Sequence, residues 1–456
     1  MLVPVTLLGI TLVVFMVLRL APGGPVERDL MEAALGGVAA DDSGASGTEG
    51  GGQVPAEVVL EIQERYGEDT SPIVGWLTWL GVVKRERAET KARADFDPGE
   101  EVTEVTLPGG RGRVMVERDG RRATLLDISE EEGERVNWRI EQTGATRFTV
   151  TRITPGGDLP PEEWNVRVES PGELSRRLRR AVRDHPQAER GTLPWRAVAF
   201  QSQRAGVLQG DLGRSFRYGD PVTTMMRERI PISSFYGLTT LVLVYSICLP
   251  LGIVKALRHR TFLDSSSSIL VFMGYAVPGY ALGALLLMVF SYNLGWFPLD
   301  GFTSENFHEL GPLAKVLDIL HHAALPLACY LVSSFAFMTL LVKNNLMDNL
   351  AADYVRTAAA KGVPYRSAVF KHAFRNSIIP LATTFGNNVT LFVGGNFIIE
   401  RVFDINGFGL LGFNAVLERD VPITMGVLFV SALLLLLGNI ISDMLVALVD
   451  PRITFS

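Results

Sequence analysis

Neutral polar side chains cluster inside one apolar stretch near the C-terminal end of the sequence. They are threonines and asparagines: Thr383, Thr384, Asn387, Asn388, Thr390 and Asn396. Thr384 and Asn388 are four residues apart, so in a helix they share one face. Polar groups facing lipid are costly, so this face should point inward.

Two roles for this inward face remain open. It could hydrogen-bond a neighbouring helix, or it could line a path for a neutral or zwitterionic solute. The candidates for such a path are Thr384, Asn387, Asn388, Asn396 and the adjacent Glu400.

A second candidate site is the basic segment "DYVRTAAAKGVPYRSAVFKHAFRN" at 353–376, which lies between two apolar runs. Its first half predicts a helix that ends at Gly362, and Pro364 is suited to begin another helix. The three alanines 358–360 give the first helix a face of small side chains that could pack closely in a groove. The segment is therefore predicted to dock on another protein.

Motifs for several enzyme reactions are missing from the sequence. There is no G-x-x-x-x-G-K-[ST] phosphate-binding loop, no H-E-x-x-H and no G-x-S-x-G. His321 and His322 are adjacent, which is poor spacing for two ligands of one metal on a helix. We expect no catalytic residue, no metal, no cofactor and no nucleic-acid partner for this chain.

Six apolar blocks would position these candidate sites. They lie at roughly 2–20, 234–257, 267–292, 322–342, 378–399 and 423–448. Each has about the 20 residues that a helix needs to cross a bilayer. Lys, Arg, Asp and Glu are absent from their middles, which disfavours an ion-coupled carrier. The prediction is a mostly α-helical, polytopic membrane protein with about six transmembrane helices.

The charges of the connecting loops predict the orientation of these helices, because cytoplasmic loops are enriched in Lys and Arg. Basic residues are concentrated after the second and fourth blocks: Lys255, Arg258, Arg260, Lys343, Arg356, Lys361, Arg366, Lys371 and Arg375. The termini and these two loops should therefore face the cytoplasm, and residues 22–233 should be extracytoplasmic.

The outer region is predicted to contain an inserted β-rich domain at 82–205. Apolar residues alternate with polar ones there, as in half-buried strands, and supply a candidate core: Val136, Trp138, Ile140, Phe148, Val150, Trp164, Val166 and Val168. Ser170 and Glu173 form a capping box at the start of a helix that follows. The remaining parts are a first helix, a linker with short helices, a lead-in, a transmembrane core and a tail, at 1–21, 22–81, 206–233, 234–450 and 451–456.

Segment 353–376 resembles the EAA loop of ABC-importer permeases, whose short coupling helix sits in a cleft of a cytoplasmic ATPase. Several motifs are similar to the oligopeptide/dipeptide branch: "DYVRTAAAKG", "KHAFRN", "LRLAPGGP", "GDLGRSF", "YAVPGY" and "LVDPRI". Within this branch, "EIQERYG", "FPLDGFTSENF" and "NGFGLLG" are most similar to Yej-type permeases, which are associated with oligopeptide and microcin C uptake. Arg356 stands where the wider family has Glu, and His372 and Arg375 replace Ile and Pro.

The resemblance implies a MetI-like permease fold and a permease subunit of an ATP-driven importer for oligopeptides or related solutes in the bacterial inner membrane. Implied partners are a second homologous permease, two ATPase domains that bind ATP and Mg²⁺, an extracytoplasmic solute-binding protein and the lipid bilayer. The EAA-type loop would span 343–377. The residues implied to couple it to the ATPase are Asp353, Tyr354, Arg356, Thr357, Ala358, Ala359, Gly362, His372, Arg375 and Asn376.

The alternative function is a membrane-anchored sensor or assembly protein whose outer domain binds a ligand. Such a protein would need no ATPase-docking loop, so changes at Arg356 or Gly362 should leave it working.

Overall fold

The computed structural model describes residues 2–20, 24–34, 54–67, 70–86, 91–109, 111–129, 137–154, 157–184, 193–393 and 395–449. The chain divides into two compact units. One comprises Leu12–Phe216 and contains the sheets; the other comprises Met1–Thr11 with Arg217–Ser456 and is helical.

The sheet-containing unit has two antiparallel sheets. Its strands are β1 (Arg85–Glu86), β2 (Ala92–Asp95), β3 (Val102–Thr106), β4 (Arg113–Asp119), β5 (Arg122–Ser129), β6 (Asn137–Gln142), β7 (Arg147–Thr154), β8 (Gly157–Asp158), β9 (Glu162–Glu169) and β10 (Arg196–Gln203). The larger sheet has the order β1-β10-β9-β7-β6, with β2 also paired to β10 and β8 to β7, and β3-β4-β5 form the smaller sheet.

The apolar core of these sheets confirms the alternation seen in the sequence. Ile140, Phe148, Val150, Trp164, Val166 and Val168 are all buried, and Trp138 packs against them while partly exposed. Val136 lies outside the described residues. Because side chains alternate across a strand, burying one apolar set leaves the intervening polar residues outside.

The described part of the same unit also contains the helices α2 (Pro25–Ala34), α3 (Ala56–Arg65), α4 (Pro72–Leu80) and α5 (Pro171–Asp184), and α1 (Leu2–Leu20) precedes them. The predicted capping box at the start of α5 is confirmed. Glu173 N donates to Ser170 Oγ over 3.3 Å, and Ser170 N donates to the Glu173 carboxylate over 3.2 Å.

Helix α3 is joined to the predicted inserted domain by apolar and ionic contacts. Leu60 of α3 packs with Leu174 and Leu178 of α5. Glu64 forms ion pairs with three cations of that domain: Lys91, Arg93 and Arg177. The compact unit is thus larger than residues 82–205 and includes α3.

The charges around Glu64 determine its ionisation. Burial alone would raise the pKa of this carboxyl, but the surrounding lysine and arginines outweigh burial and lower the pKa to about 2. Glu64 is therefore ionised at neutral pH and fixes α3 to the sheet by charge as well as by packing.

The helical unit contains long helices and short connecting ones. They are α6 (Val222–Leu257), α7 (Phe262–Ala276), α8 (Gly279–Leu286), α9 (Pro312–Ala351), α10 (Asp353–Ala360), α11 (Tyr365–Ser367), α12 (Phe374–Ser377), α13 (Ile379–Val393), α14 (Phe397–Val402), α15 (Phe408–Leu417) and α16 (Val421–Val449). Two π-helical turns, Leu287–Asn293 and Ala368–Ala373, continue α8 and precede α12.

The predicted membrane-protein class is confirmed, but the described residues contain four or five candidate spans rather than six. Among the described residues, four helical stretches are long and apolar enough to cross a membrane: one that begins at Val3 in α1, and Val222–Leu257, Pro312–Val332 and Val421–Val449. A fifth exists if Phe262–Ala276 and Gly279–Asn293 are taken together, although they are bent by 90°. Pro278, which has no N–H to donate, stands at this bend.

The predicted span at 378–399 is interrupted. Its helix α13 has 15 residues, which is fewer than the roughly 20 needed to cross the hydrocarbon core. Gly395 then has a left-handed φ of 79°, and Asn396 caps the separate helix α14. The backbone turn at Gly395 therefore divides the predicted span in two.

Helix α13 packs against α16 at a point where both backbones approach closely. A Cβ added to Gly386 would lie 1.8 Å from Gly438 O. The Ser442 hydroxyl bonds the carbonyls of Ala382 and Thr383, and it accepts from Gly386 N over 3.3 Å. Small residues at such a crossing are typical of helix pairs in membranes.

Candidate functional site

The predicted docking segment begins where the longest helix ends. Helix α9 stops at Ala351, and α10 follows after the single residue Ala352. Val355 is the buried anchor of α10 and packs with Leu346 of α9 and Ala256 of α6. The docking segment is therefore seated on the ends of two long helices.

Nine of the ten residues predicted to couple this segment to an ATPase are exposed. They are Asp353, Tyr354, Arg356, Thr357, Ala359, Gly362, His372, Arg375 and Asn376, while Ala358 is half-buried. Arg356 and Asp353 lie 3.9 Å apart, with side chains 72% and 100% exposed. An exposed pair of this kind contributes little to stability, so both charges are available to a partner.

The turn after α10 has the form that the sequence predicts. Gly362 has a left-handed φ of 85°, which favours glycine because it has no Cβ. Pro364 stands immediately before α11. Arg375 Nε then donates to Val449 O over 3.4 Å at the end of α16. The segment is thus attached at both ends to long helices of the same unit.

Two of the three threonines of the predicted polar face bond to their own helix. Thr383 Oγ1 donates to Pro380 O over 2.7 Å, and Thr384 Oγ1 donates to Leu381 O over 3.1 Å. Helices α13 and α16 are hydrogen-bonded to each other through Ser442, which sequence reasoning missed. The side chains of Asn387 and Asn388 lie outside the described part of the chain.

The last two residues of the predicted path, Asn396 and Glu400, organise residues 395–409, which we call the glycine-rich loop because Gly395, Gly407 and Gly409 lie in it. Asn396 Oδ1 accepts from Ile398 N over 3.2 Å and so caps α14. The Glu400 carboxylate is 1% exposed. It accepts from Leu410 N over 2.6 Å and from Ser233 Oγ over 2.8 Å.

Glycines surround the Glu400 carboxylate because nothing larger would fit. A Cβ at Gly407 would lie 2.4 Å from Glu400 Cδ, and one at Gly395 would lie 2.3 Å from its Oε1. Ser233 Oγ also accepts from Phe408 N over 2.7 Å, so α6 is bonded to both sides of the loop. The arrangement can hold the loop in one conformation on α6.

A buried charged cluster was also missed by sequence reasoning. Asp264 of α7 lies between Lys255 of α6 and Lys343 of α9. The available signals were the Thr261-to-Asp264 spacing of a helix start and two lysines at the edges of apolar runs. Neither signal shows that these residues meet.

Within the described residues no group of three or more His, Cys, Asp or Glu side chains is placed to hold a metal ion.

In comparison with known protein families, residues 248–455 match one family, which is described as "Binding-protein-dependent transport system inner membrane component". The oligopeptide transport system permease protein AppB of Bacillus subtilis (strain 168) is 36% identical over 259 residues, which cover 57% of this chain and 80% of that protein.

Two further relatives are permease proteins named YejB. The peptidoglycan transport system permease protein of Agrobacterium fabrum is 37% identical over 248 residues, and the inner membrane ABC transporter permease protein of Escherichia coli O157:H7 is 38% identical over 248 residues. Each match covers 54% of this chain and 68% of the relative. Among solved structures, the inward-facing MetNI methionine ABC transporter aligns with a TM-score of 0.39 and 14% identity, over 50% of this chain and 96% of that one.

Proposed function

The chain belongs to the family of binding-protein-dependent transport system inner membrane components, and on this basis we propose that it is a permease subunit of an ATP-driven importer for oligopeptides or related solutes. The peptide class is supported by the printed name of the relative that is 36% identical, an oligopeptide permease. The alternative of a membrane-anchored sensor is not favoured, because the relatives are permeases.

We propose that residues 353–364 dock on a cytoplasmic ATPase. The observation that carries this proposal is the pairing of a buried anchor, Val355, with an otherwise exposed surface on α10. A helix held at its base and exposed along its face can enter a groove of a partner. It can then pass a displacement to the helices on which it is seated.

The partners follow from this assignment. They are a second homologous permease, two ATPase domains that bind ATP and Mg²⁺, and a solute-binding protein on the outer side of the bilayer. This chain would itself bind no cofactor and hydrolyse no ATP. Residues 22–233 would be extracytoplasmic, in keeping with the basic loops on the opposite side.

For the solute path we propose the half-buried Thr384 and its neighbours Asn387 and Asn388. For Asn396 and Glu400 we propose a positioning role at the mouth of that path, because their acceptor oxygens are engaged within the glycine-rich loop.

A cysteine crosslink tests the docking surface. Ala359→Cys should crosslink to the ATPase in the assembled complex, since Ala359 is exposed on α10. Ala314→Cys is the matched control, because Ala314 is exposed at the opposite end of α9 and should not crosslink. A complex in which Ala359→Cys crosslinks to no ATPase would contradict the proposal.

A further inference from the structure

Three helices of the helical unit meet at a buried charged cluster near the docking segment. Asp264, at the start of α7, is 5% exposed, Lys343 of α9 is 9% exposed and Lys255 of α6 is fully buried. Buried charges are retained in proteins only when they are paired and hydrogen-bonded. The contacts of each charge therefore show what the cluster holds together.

Lys343 and Asp264 form a two-point contact. Lys343 Nζ donates to Asp264 Oδ1 over 2.7 Å and to Oδ2 over 2.9 Å. The Asp264 carboxylate also accepts from Arg260 N over 3.1 Å. A carboxylate that accepts from several donors is fixed in direction as well as in position, so the start of α7 is held against α9.

Lys255 completes the cluster from the third helix. Its Nζ donates to Asp264 O, Ser267 Oγ and Ser268 Oγ over 2.9, 2.8 and 2.8 Å, and lies 3.1 Å from Asp264 Oδ1. An ammonium has three hydrogens to donate, and all of them have acceptors on the first turns of α7.

Apolar packing already joins α6 to α9 beside this cluster. A Cβ at Gly252 would lie 2.6 Å from Val342 Cβ, so the two helices touch at the residues next to Lys343. One turn further on, Ala256 and Leu346 pack with Val355 of the docking helix. Helices α6, α9 and α10 can therefore move together, and the charged cluster adds α7 to them.

From this geometry we infer that Asp264, Lys343 and Lys255 are positioning residues that carry movement of the docking helix α10 into helix α7. The inference rests on the proposed docking of an ATPase on residues 353–364. Helix α7 leads into the 90° bend before α8, so a displacement of its first turn reaches the bent pair. Exchange of an ion pair for an apolar side chain would leave the helices packed while removing this directional link.

The experiment uses the complete complex in proteoliposomes and needs no knowledge of the solute. Ser265→Cys places a reporter on the exposed side of α7, next to Asp264. Its labelling rate with a maleimide is compared between the nucleotide-free complex and the complex trapped with ATP and vanadate. A complex without this cysteine corrects for Cys248 and Cys329, which are buried.

Lys343→Met is the test variant, because it leaves Asp264 paired with Lys255 and so strands no buried charge. We expect the nucleotide-dependent change in labelling to be present in the parent and lost in Lys343→Met. It should be retained in Lys343→Arg, which keeps the charge, and in Lys315→Met, which removes a lysine at the far end of the same helix.

Three results would overturn the inference: a labelling change that persists in Lys343→Met, no labelling change in the parent, or failure of both Lys343 variants to assemble with their partners. The last result would make the cluster an assembly contact. The Ala359→Cys crosslink, measured in the same preparations, separates this inference from the proposed function. If Ala359→Cys fails to crosslink when Lys343 is intact, docking is refuted. If the crosslink forms and Lys343→Met keeps the nucleotide-dependent change in labelling, only the role of the cluster is refuted.

Discussion

The backbones of Gly81 and Gly206 are in contact, although 124 residues predicted to form an inserted domain, 82–205, lie between them. A Cβ at Gly206 would lie 2.3 Å from Gly81 N and 2.5 Å from Gly81 Cα. Gln209 Nε2 adds a hydrogen bond to Gly81 O over 3.4 Å. The chain therefore leaves and re-enters this point at a distance that a single peptide link can span.

Deletion of residues 82–205, with Gly81 joined to Gly206, should preserve the membrane part. Neighbouring chain ends are the usual condition for tolerating a domain insertion or its removal. We expect the shortened chain to co-purify with the second permease and the ATPases in amounts close to those of the parent. Loss of assembly would show that the region is part of the transporter's core.

Excision of the domain should succeed better when α3 is included. A segment 54–216 keeps Leu60 packed on Leu174 and keeps Glu64 paired, whereas 82–205 exposes the face that α3 covers. Loss of one buried leucine side chain alone corresponds to about 1.5–3 kcal/mol. Urea unfolding monitored by circular dichroism should therefore give 54–216 the larger free energy of unfolding. Equal stabilities would mean that α3 contributes nothing to this fold.

Glu64 should make the stability of this segment sensitive to acid. Its pKa is lowered to about 2 in the folded state, whereas an unperturbed glutamate titrates near 4.3. The stabilisation is therefore fully present above about pH 4.3 and is lost as the pH falls towards about 2. The free energy of unfolding of 54–216, measured against pH, should decline through this window.

Glu64→Gln should weaken that decline, because glutamine does not titrate. It should also destabilise the segment at neutral pH by about 3–5 kcal/mol, since three cations lose a buried partner. Glu61→Gln is the matched control, because within the described part of the chain Glu61 forms its ion pair with the exposed Arg65, and an exposed pair contributes at most about 1 kcal/mol. An unchanged acid profile in Glu64→Gln would contradict the assignment.

The turn after the docking helix should tolerate asparagine but not proline. Gly362 has φ 85°, and proline is fixed near −65°. Gly362→Pro should abolish uptake of a labelled peptide while ATP hydrolysis and assembly persist, because Gly362 is exposed and a Cβ there would meet no atom within 4 Å. Gly362→Asn should retain uptake, since asparagine enters the left-handed region more readily than most residues. Equal uptake by both variants would exclude a coupling role for the turn.

Gly407→Ala should open the glycine-rich loop. Its φ of −95° suits alanine, so the whole effect comes from a Cβ that meets the Glu400 carboxylate at 2.4 Å. Overpacking of this kind costs about 1–3 kcal/mol, and because about 1.4 kcal/mol is a factor of ten, the rate of trypsin cleavage after the exposed Arg401 should rise about five- to 150-fold. Gly311→Ala, where no atom lies within 4 Å, should leave that rate unchanged.

Local features of this fold could be predicted from the sequence because neighbouring residues determine them. Ser170 and Glu173 are three residues apart and together cap the start of α5. Gly362 and Pro364 lie between α10 and α11 and separate these two helices. The alternation around Phe148 and Trp164 likewise identifies the inner face of a strand, because the side-chain period is 2.

Contacts between distant residues could not be predicted in this way. Lys343 and Asp264 are 79 residues apart, and Glu400 and Ser233 are 167 residues apart. In a single sequence a lysine at the edge of an apolar run is equally consistent with a solvated loop. The break near Gly395 was missed for a related reason. Glycine is common in membrane helices, so a glycine in an apolar run does not by itself predict that the helix ends there.

Helix α9 is long enough to act as a lever between its two ends. Its 40 residues correspond to about 60 Å at 1.5 Å per residue, twice the roughly 30 Å of the hydrocarbon core. A tilt of about 10° around its centre would swing each tip by about 5 Å, given a half-length of about 30 Å. A displacement of one end of α9 by a few ångströms would thus move the other end by a similar distance, comparable to the width of an amino-acid side chain.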